Sequence, residues 1–91
     1  MKKIIVNFSN CKFIGEVHKV LKEAFSFPEY YGENLSALWD CLRYYSLDPI
    51  SVEVIGLSEI SEELSDYMNE IFQIFDEVHE ENPGIIFQYI N

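Results

Sequence analysis

Positive charge is what this sequence has least of. Among 91 residues there are 6 Lys and Arg against 16 Asp and Glu, a formal charge of −10. Nucleic acids are held through Lys and Arg at their phosphates, so this balance argues against direct RNA or DNA binding. Anionic membrane surfaces are repelled for the same reason. Cysteine is nearly absent: Cys11 and Cys41 stand alone, with no metal-ligand spacing and no nearby His. Cys41 lies in the apolar run of a helix and reads as a buried free thiol. Without a disulfide framework, a reducing, cytoplasmic location is expected. No apolar run is long enough to span a bilayer. The stretch after Lys2-Lys3 is far too short for a signal peptide. Glycine and proline are few, with no repeat and no low-complexity linker.

The catalytic vocabulary is thin as well. There is no Ser-His-Asp, Cys-His or phosphate-loop pattern. His18 and His79 are isolated on amphipathic helices, which suits surface or satisfied core positions. Asp66-Tyr67-Met68-Asn69-Glu70 lacks the spaced oxygens and the glycine of a calcium loop. The expectation is a protein with no cofactor, no metal and no catalytic residue.

What remains is a dense small core. Hydrophobic residues make up 48% and aromatics 15% of the chain, and the length suits one domain, residues 1–91. A chain of this size buries roughly 60–70% of its unfolded surface. Lys3 to Phe8 is β-branched and apolar and reads as a short buried strand. From Ile14 to Phe25, Val17, Val20, Leu21, Ala24 and Phe25 recur at helical spacing. Pro28 keeps Phe27 out of the helical region. A turn at Gly32 leads to a second helix capped by Asn34, with Leu35, Leu38, Leu42 and Tyr45 on one stripe.

Asp48-Pro49 breaks that helix, and Ile50 to Val54 alternates as a strand. A short helix or turn of helix over Ser58 to about Ser65 is followed by a long helix ending near Glu81. Asn82-Pro83-Gly84 stops it, and Ile85 to Ile90 is apolar enough for a strand buried on both faces. The order β-α-α-β-α-α-β favours an α/β fold, a three-stranded parallel sheet with helices packed against it.

The segment from Pro28 to Leu42 concentrates what the rest lacks. Tyr30, Tyr31 and Trp39 stand beside Glu29, Glu33 and Asp40. At about 100° per residue, Leu35, Leu38 and Leu42 point inward, Ser36, Asp40 and Arg43 share the wet face, and Trp39 falls at the edge. Large aromatics give contact area at little entropic cost and serve as interface anchors. Three of them beside acids favour an outward, partner-binding role over packing on the domain's own core. Asp76, Glu77, Glu80 and Glu81 crowd the end of the last helix, against its dipole; on charge alone they read as an ordinary solvated face. Three functions fit these residues: a blocker of a basic enzyme, an acidic interaction module for another basic partner such as a toxin, and a small carboxylate-using hydrolase.

The run Phe-Pro-Glu-Tyr-Tyr-Gly-Glu-Asn-Leu-Ser-Ala-Leu-Trp-Asp-Cys-Leu, Phe27 to Leu42, closely resembles the central segment of the barstar family of ribonuclease inhibitors. Lys2-Lys3 at the start, Gln73-Ile74-Phe75 in the last helix and the closing apolar strand extend the likeness. The resemblance implies an intracellular inhibitor, monomeric when free, that binds a barnase-type ribonuclease. It implies contacts at Tyr30, Tyr31, Asn34, Trp39, Asp40, Tyr45 and Glu77, with Glu81 a peripheral acid. Asp40 would be the carboxylate that enters the nuclease's phosphate site. Ser36 stands where the family has a second interfacial acid, Arg43 replaces a small polar residue, and Tyr45 replaces a Trp. Arg43 is one turn beyond Asp40 and positioned to pair with it. The expected cognate nuclease is therefore not barnase itself and carries an acid or neutral group opposite Arg43.

Overall fold

The protein is described here by a computed structural model covering residues 2–90. Its elements are β1 (Lys2–Asn7), α1 (Ile14–Phe25), α2 (Leu35–Arg43), β2 (Ile50–Ile55), two single 3-10 turns (Leu57–Glu59 and Glu62–Leu64), α3 (Ser65–Glu81) and β3 (Ile85–Tyr89). The three strands form one sheet in the order β1-β2-β3, all parallel, with Ile4 opposite Val52 and Val52 opposite Phe87. The expected α/β architecture is present. The short helix or turn of helix expected over residues 58–65 takes the form of the two 3-10 turns, separated by extended backbone at Ile60 and Ser61. Gly56 opens them at φ 78°, where a Cβ would run into Ser9 and Asn7. Only glycine turns there without strain.

Helices cover one face of the sheet. Ile4, Val6, Ile50, Val52, Val54 and Ile85 are buried on that face. Lys3, Ile5 and Gln88 on the other face are exposed, with Lys3 and Glu53 paired at 3.0 Å. This corrects two expectations. β1 is buried on alternate residues only, and β3 is an edge strand, not one enclosed on both sides. Its apolar composition reflects packing of Phe87 on Phe75, stacked at 4.3 Å, while Ile86 and Ile90 remain exposed. α1 lies on β1 and α3 on β3, whereas α2 packs chiefly against α3. α2 is thus an outer helix, held by the buried Leu38 and Leu42 and free along its opposite side. Replacing either leucine by alanine costs about 2–5 kcal/mol on general grounds.

The segment before α2 is fixed from both ends. α1 stops at Ser26, left-handed at φ 57°, with the Phe27 amide bonding back to the Lys22 carbonyl at 2.9 Å. Phe27 then stacks on Phe25 at 5.4 Å. A turn closes from the Tyr31 amide to the Pro28 carbonyl, 2.9 Å. The left-handed residue of this loop is Glu33, at φ 52°, and not Gly32. A non-glycine residue there is held at a cost of about 1–2 kcal/mol.

Candidate protein-interaction site

Each residue singled out in the sequence can be placed. Asn34 caps α2 as expected: its Oδ1 accepts from the Ala37 amide at 2.8 Å, and its Nδ2 donates to the Gly32 carbonyl at 3.2 Å. Its side chain is therefore engaged in holding the loop against the helix. Ser36, Asp40 and Arg43 are all exposed on one side of α2, as the helical projection requires. Trp39 is half-buried at the rim of the core. Among the described residues, Asp40 has neither an ion-pair nor a hydrogen-bond partner for its side chain. It presents a free carboxylate beside an indole.

The paired tyrosines part company. Tyr30 is 87% exposed, but Tyr31 is only 5% exposed and belongs to the core. Its hydroxyl meets Nδ1 of His18 at 2.7 Å, and Nε2 of His18 meets the Tyr67 hydroxyl at 2.5 Å. His18 is itself fully buried. Burial pushes its pKa down, with Glu33 opposing in part, and burial pushes the Tyr31 phenol up. An outward role for Tyr31 gives way to an inward one: it ties the site loop to α1 and α3. The sequence held a clue to this, because His18 falls on the same stripe as Val17, Leu21 and Phe25.

Tyr45 is also half-inward. Its hydroxyl donates to the Phe25 carbonyl at 2.6 Å, and its ring meets Phe25 and Phe27 edge-on. Arg43 does not pair with Asp40. Its Nε donates to Glu81 Oε2 at 3.1 Å, across from α2 to the end of α3. Its guanidinium lies 5.6 Å from the Trp39 ring and 5.2 Å from that of Tyr44, a cation held against two aromatic faces. Glu77 is exposed on α3, within 3.4 Å of the Gln73 amide nitrogen.

Cys41 is only half-buried, and Cys11 is the buried thiol; both are free. Among the described residues no three His, Cys, Asp or Glu side chains converge as a metal site would need. No described helix is long and apolar enough to cross a membrane.

Sequence reasoning missed two residues here. Tyr44 and Leu47, just past α2, are 79% and 102% exposed, the latter as open as in a free peptide. No periodic pattern marks them, since they lie in the connection to β2.

The arrangement is an outward helix carrying an unpaired carboxylate next to a half-buried indole, with an exposed tyrosine in the loop before the helix and Glu81 of α3 joined to it through Arg43. Nothing in it forms an enclosed substrate cleft. It is suited to docking on a cationic surface. The profile of the family described as Barstar (barnase inhibitor) matches residues 1–90. A protein of Bacillus subtilis (strain 168), named "Putative ribonuclease inhibitor YrdF", is 33% identical over 81 residues, covering 89% of this chain and 89% of its own. With its sheet, its capped outer helix and nearly its whole length in register, this chain belongs to the Barstar family.

Proposed function

We propose that the protein inhibits a barnase-type ribonuclease inside the producing cell by filling its active site. The observation that carries this is the free carboxylate of Asp40 on a rigid, outward helix, in a chain of this family. A ribonuclease gathers Arg, Lys and His to hold a phosphodiester. A carboxylate placed there accepts the same charge-assisted hydrogen bonds and offers no bond to cleave. Trp39 and Tyr30 supply apolar contact area around it and exclude water.

The other acids act at longer range. A charge of −10 accelerates encounter with a basic partner and makes that encounter salt-sensitive, a principle for which the barnase–barstar pair is itself the standard case. Glu29, Glu33 and Glu77 are exposed and add to that field. Arg43 contributes no net positive charge there, because Glu81 compensates it at 3.1 Å, and with that the ground for expecting a nuclease other than barnase falls away, so barnase serves as the probe. A second interfacial acid at Ser36 is missing, so Asp40 carries a larger share of the local attraction.

The test is a titration against barnase with RNA cleavage as readout, at low and high salt. Stoichiometric inhibition that weakens with salt and is lost in Asp40→Ala supports the reading. Binding without loss of RNA cleavage would instead favour an acidic module that sits away from the active site.

A further inference from the structure

Beyond the acidic face of α2 the chain leaves a second, differently built surface. α2 ends at Arg43, and Tyr45 turns inward to bond the Phe25 carbonyl. That turn sends Tyr44 and Leu47 outward. The loop carrying them is not loose. Ser46 Oγ accepts from the Asp48 amide at 3.0 Å, and Asn82 Nδ2 donates to the Ser46 carbonyl at 2.8 Å, pinning the loop to the end of α3. Arg43, Tyr44, Ser46, Leu47, Glu81 and Asn82 line a recess of about 380 Å³, room for a partner's side chain.

Charge separates this surface from its neighbour. Between Arg43 and Leu47 the only charged side chain is Arg43, already compensated by Glu81. Asp40, one turn back, is uncompensated. The two surfaces are continuous through the Arg43 guanidinium, which lies 5.6 Å from the Trp39 ring and 5.2 Å from that of Tyr44. Single exposed apolar residues are commonplace. A tyrosine and a leucine held out together beside a recess, next to the indole, lose their contact with water only when something covers them.

We infer that Tyr44 and Leu47 form a neutral second half of the inhibitor's contact surface, which covers an uncharged, apolar rim next to the ribonuclease's cationic cleft. This rests on the function proposed above and deepens it. Asp40 recognises what all such nucleases share, the cationic phosphate site. Tyr44 and Leu47 discriminate between them, because a nuclease with Lys or Arg on that rim would have to desolvate the cation against a leucine with no partner for it.

Leu47→Asp tests this through the sign of its effect. If Leu47 stood outside the contact, an added acid would speed association with a basic nuclease and tighten binding. Inside an apolar contact, the new carboxylate is desolvated and unpaired, and the complex weakens. With barnase as the probe, association and dissociation are followed at two salt concentrations. The expected result is dissociation at least about tenfold faster for Leu47→Asp, and several-fold faster for Tyr44→Ala with the salt dependence of association unchanged. Both side chains are exposed, so thermal unfolding should match the wild type. Equal or tighter binding by Leu47→Asp, with wild type inhibiting normally, overturns this inference alone. A wild type that neither binds nor inhibits barnase overturns the ribonuclease reading and this inference with it.

Discussion

Tyr30 and Tyr31 are adjacent in the chain and opposite in the fold. Tyr30 stands in solvent at 87% exposure with no bonded partner for its hydroxyl among the described residues; Tyr31 sits at 5% in a chain of hydrogen bonds through His18 to Tyr67. The same division runs along α2, where Leu38 and Leu42 face in and Asp40 faces out. One side of the segment is fully satisfied and fixes position. The other side is left unsatisfied and is available to a partner. On the proposed function, the free groups serve binding because the bound ones are rigid: an interface carboxylate that must first be ordered loses affinity to that ordering.

Substitutions on the two sides should therefore fail in different ways. The largest effect expected is on binding. Asp40→Asn keeps shape and removes charge, so it should weaken binding to barnase by about a hundredfold or more, the loss of about two charge-assisted hydrogen bonds. Chemical denaturation of the same variant should show stability within about 0.5 kcal/mol of wild type, since Asp40 has no partner in the free protein. A large stability change would break the comparison.

Next in size is Tyr31→Phe, which leaves a buried His18 nitrogen without its partner. It should cost about 1–3 kcal/mol of stability, whereas Tyr30→Phe should cost almost none. Equal effects at the two positions, measured by the same unfolding experiment, would contradict the inward assignment of Tyr31.

A smaller effect concerns pH. Burial holds the folded pKa of His18 below its ordinary value of 6.5. Below about 6.5 the unfolded chain therefore takes up a proton that the folded chain refuses. This contribution to stability is complete above pH 6.5 and is lost as pH falls towards the folded pKa, with a slope of at most about 1.4 kcal/mol per pH unit. His18→Leu should lack that slope between pH 6.5 and the onset of carboxylate titration. A variant with the wild-type slope there would assign the effect to other groups.

Much of this was legible in the sequence, for identifiable reasons. Periodicity placed α1, α2 and α3 because each buries one stripe, and Asn34 announced the start of α2 because a cap needs a side-chain oxygen at that position. The wet face of Ser36, Asp40 and Arg43 followed from helical geometry alone. The failures came where local pattern underdetermines the outcome. Ile85 to Ile90 reads as an enclosed strand, but strand order in the sheet decides enclosure, and that order is a long-range fact. Arg43 has an acid one turn away in Asp40, yet it bonds Glu81, which lies 38 residues on and comes close only because α2 packs against α3. Tyr31 could not be told from Tyr30 without knowing that His18 waits beneath it. Tyr44 and Leu47 lie in a connection, where no period exists to reveal direction.

The central claim is that the Asp40 carboxylate occupies the place of an RNA phosphate, and competition measures this most directly. Binding to barnase is determined with and without inorganic phosphate, ionic strength being matched with chloride. The account predicts that phosphate weakens binding of the wild type through direct exclusion and leaves binding of Asp40→Ala unchanged or improved, because the anion then fills the vacated site. Phosphate weakening both proteins to the same degree, or neither, would contradict it.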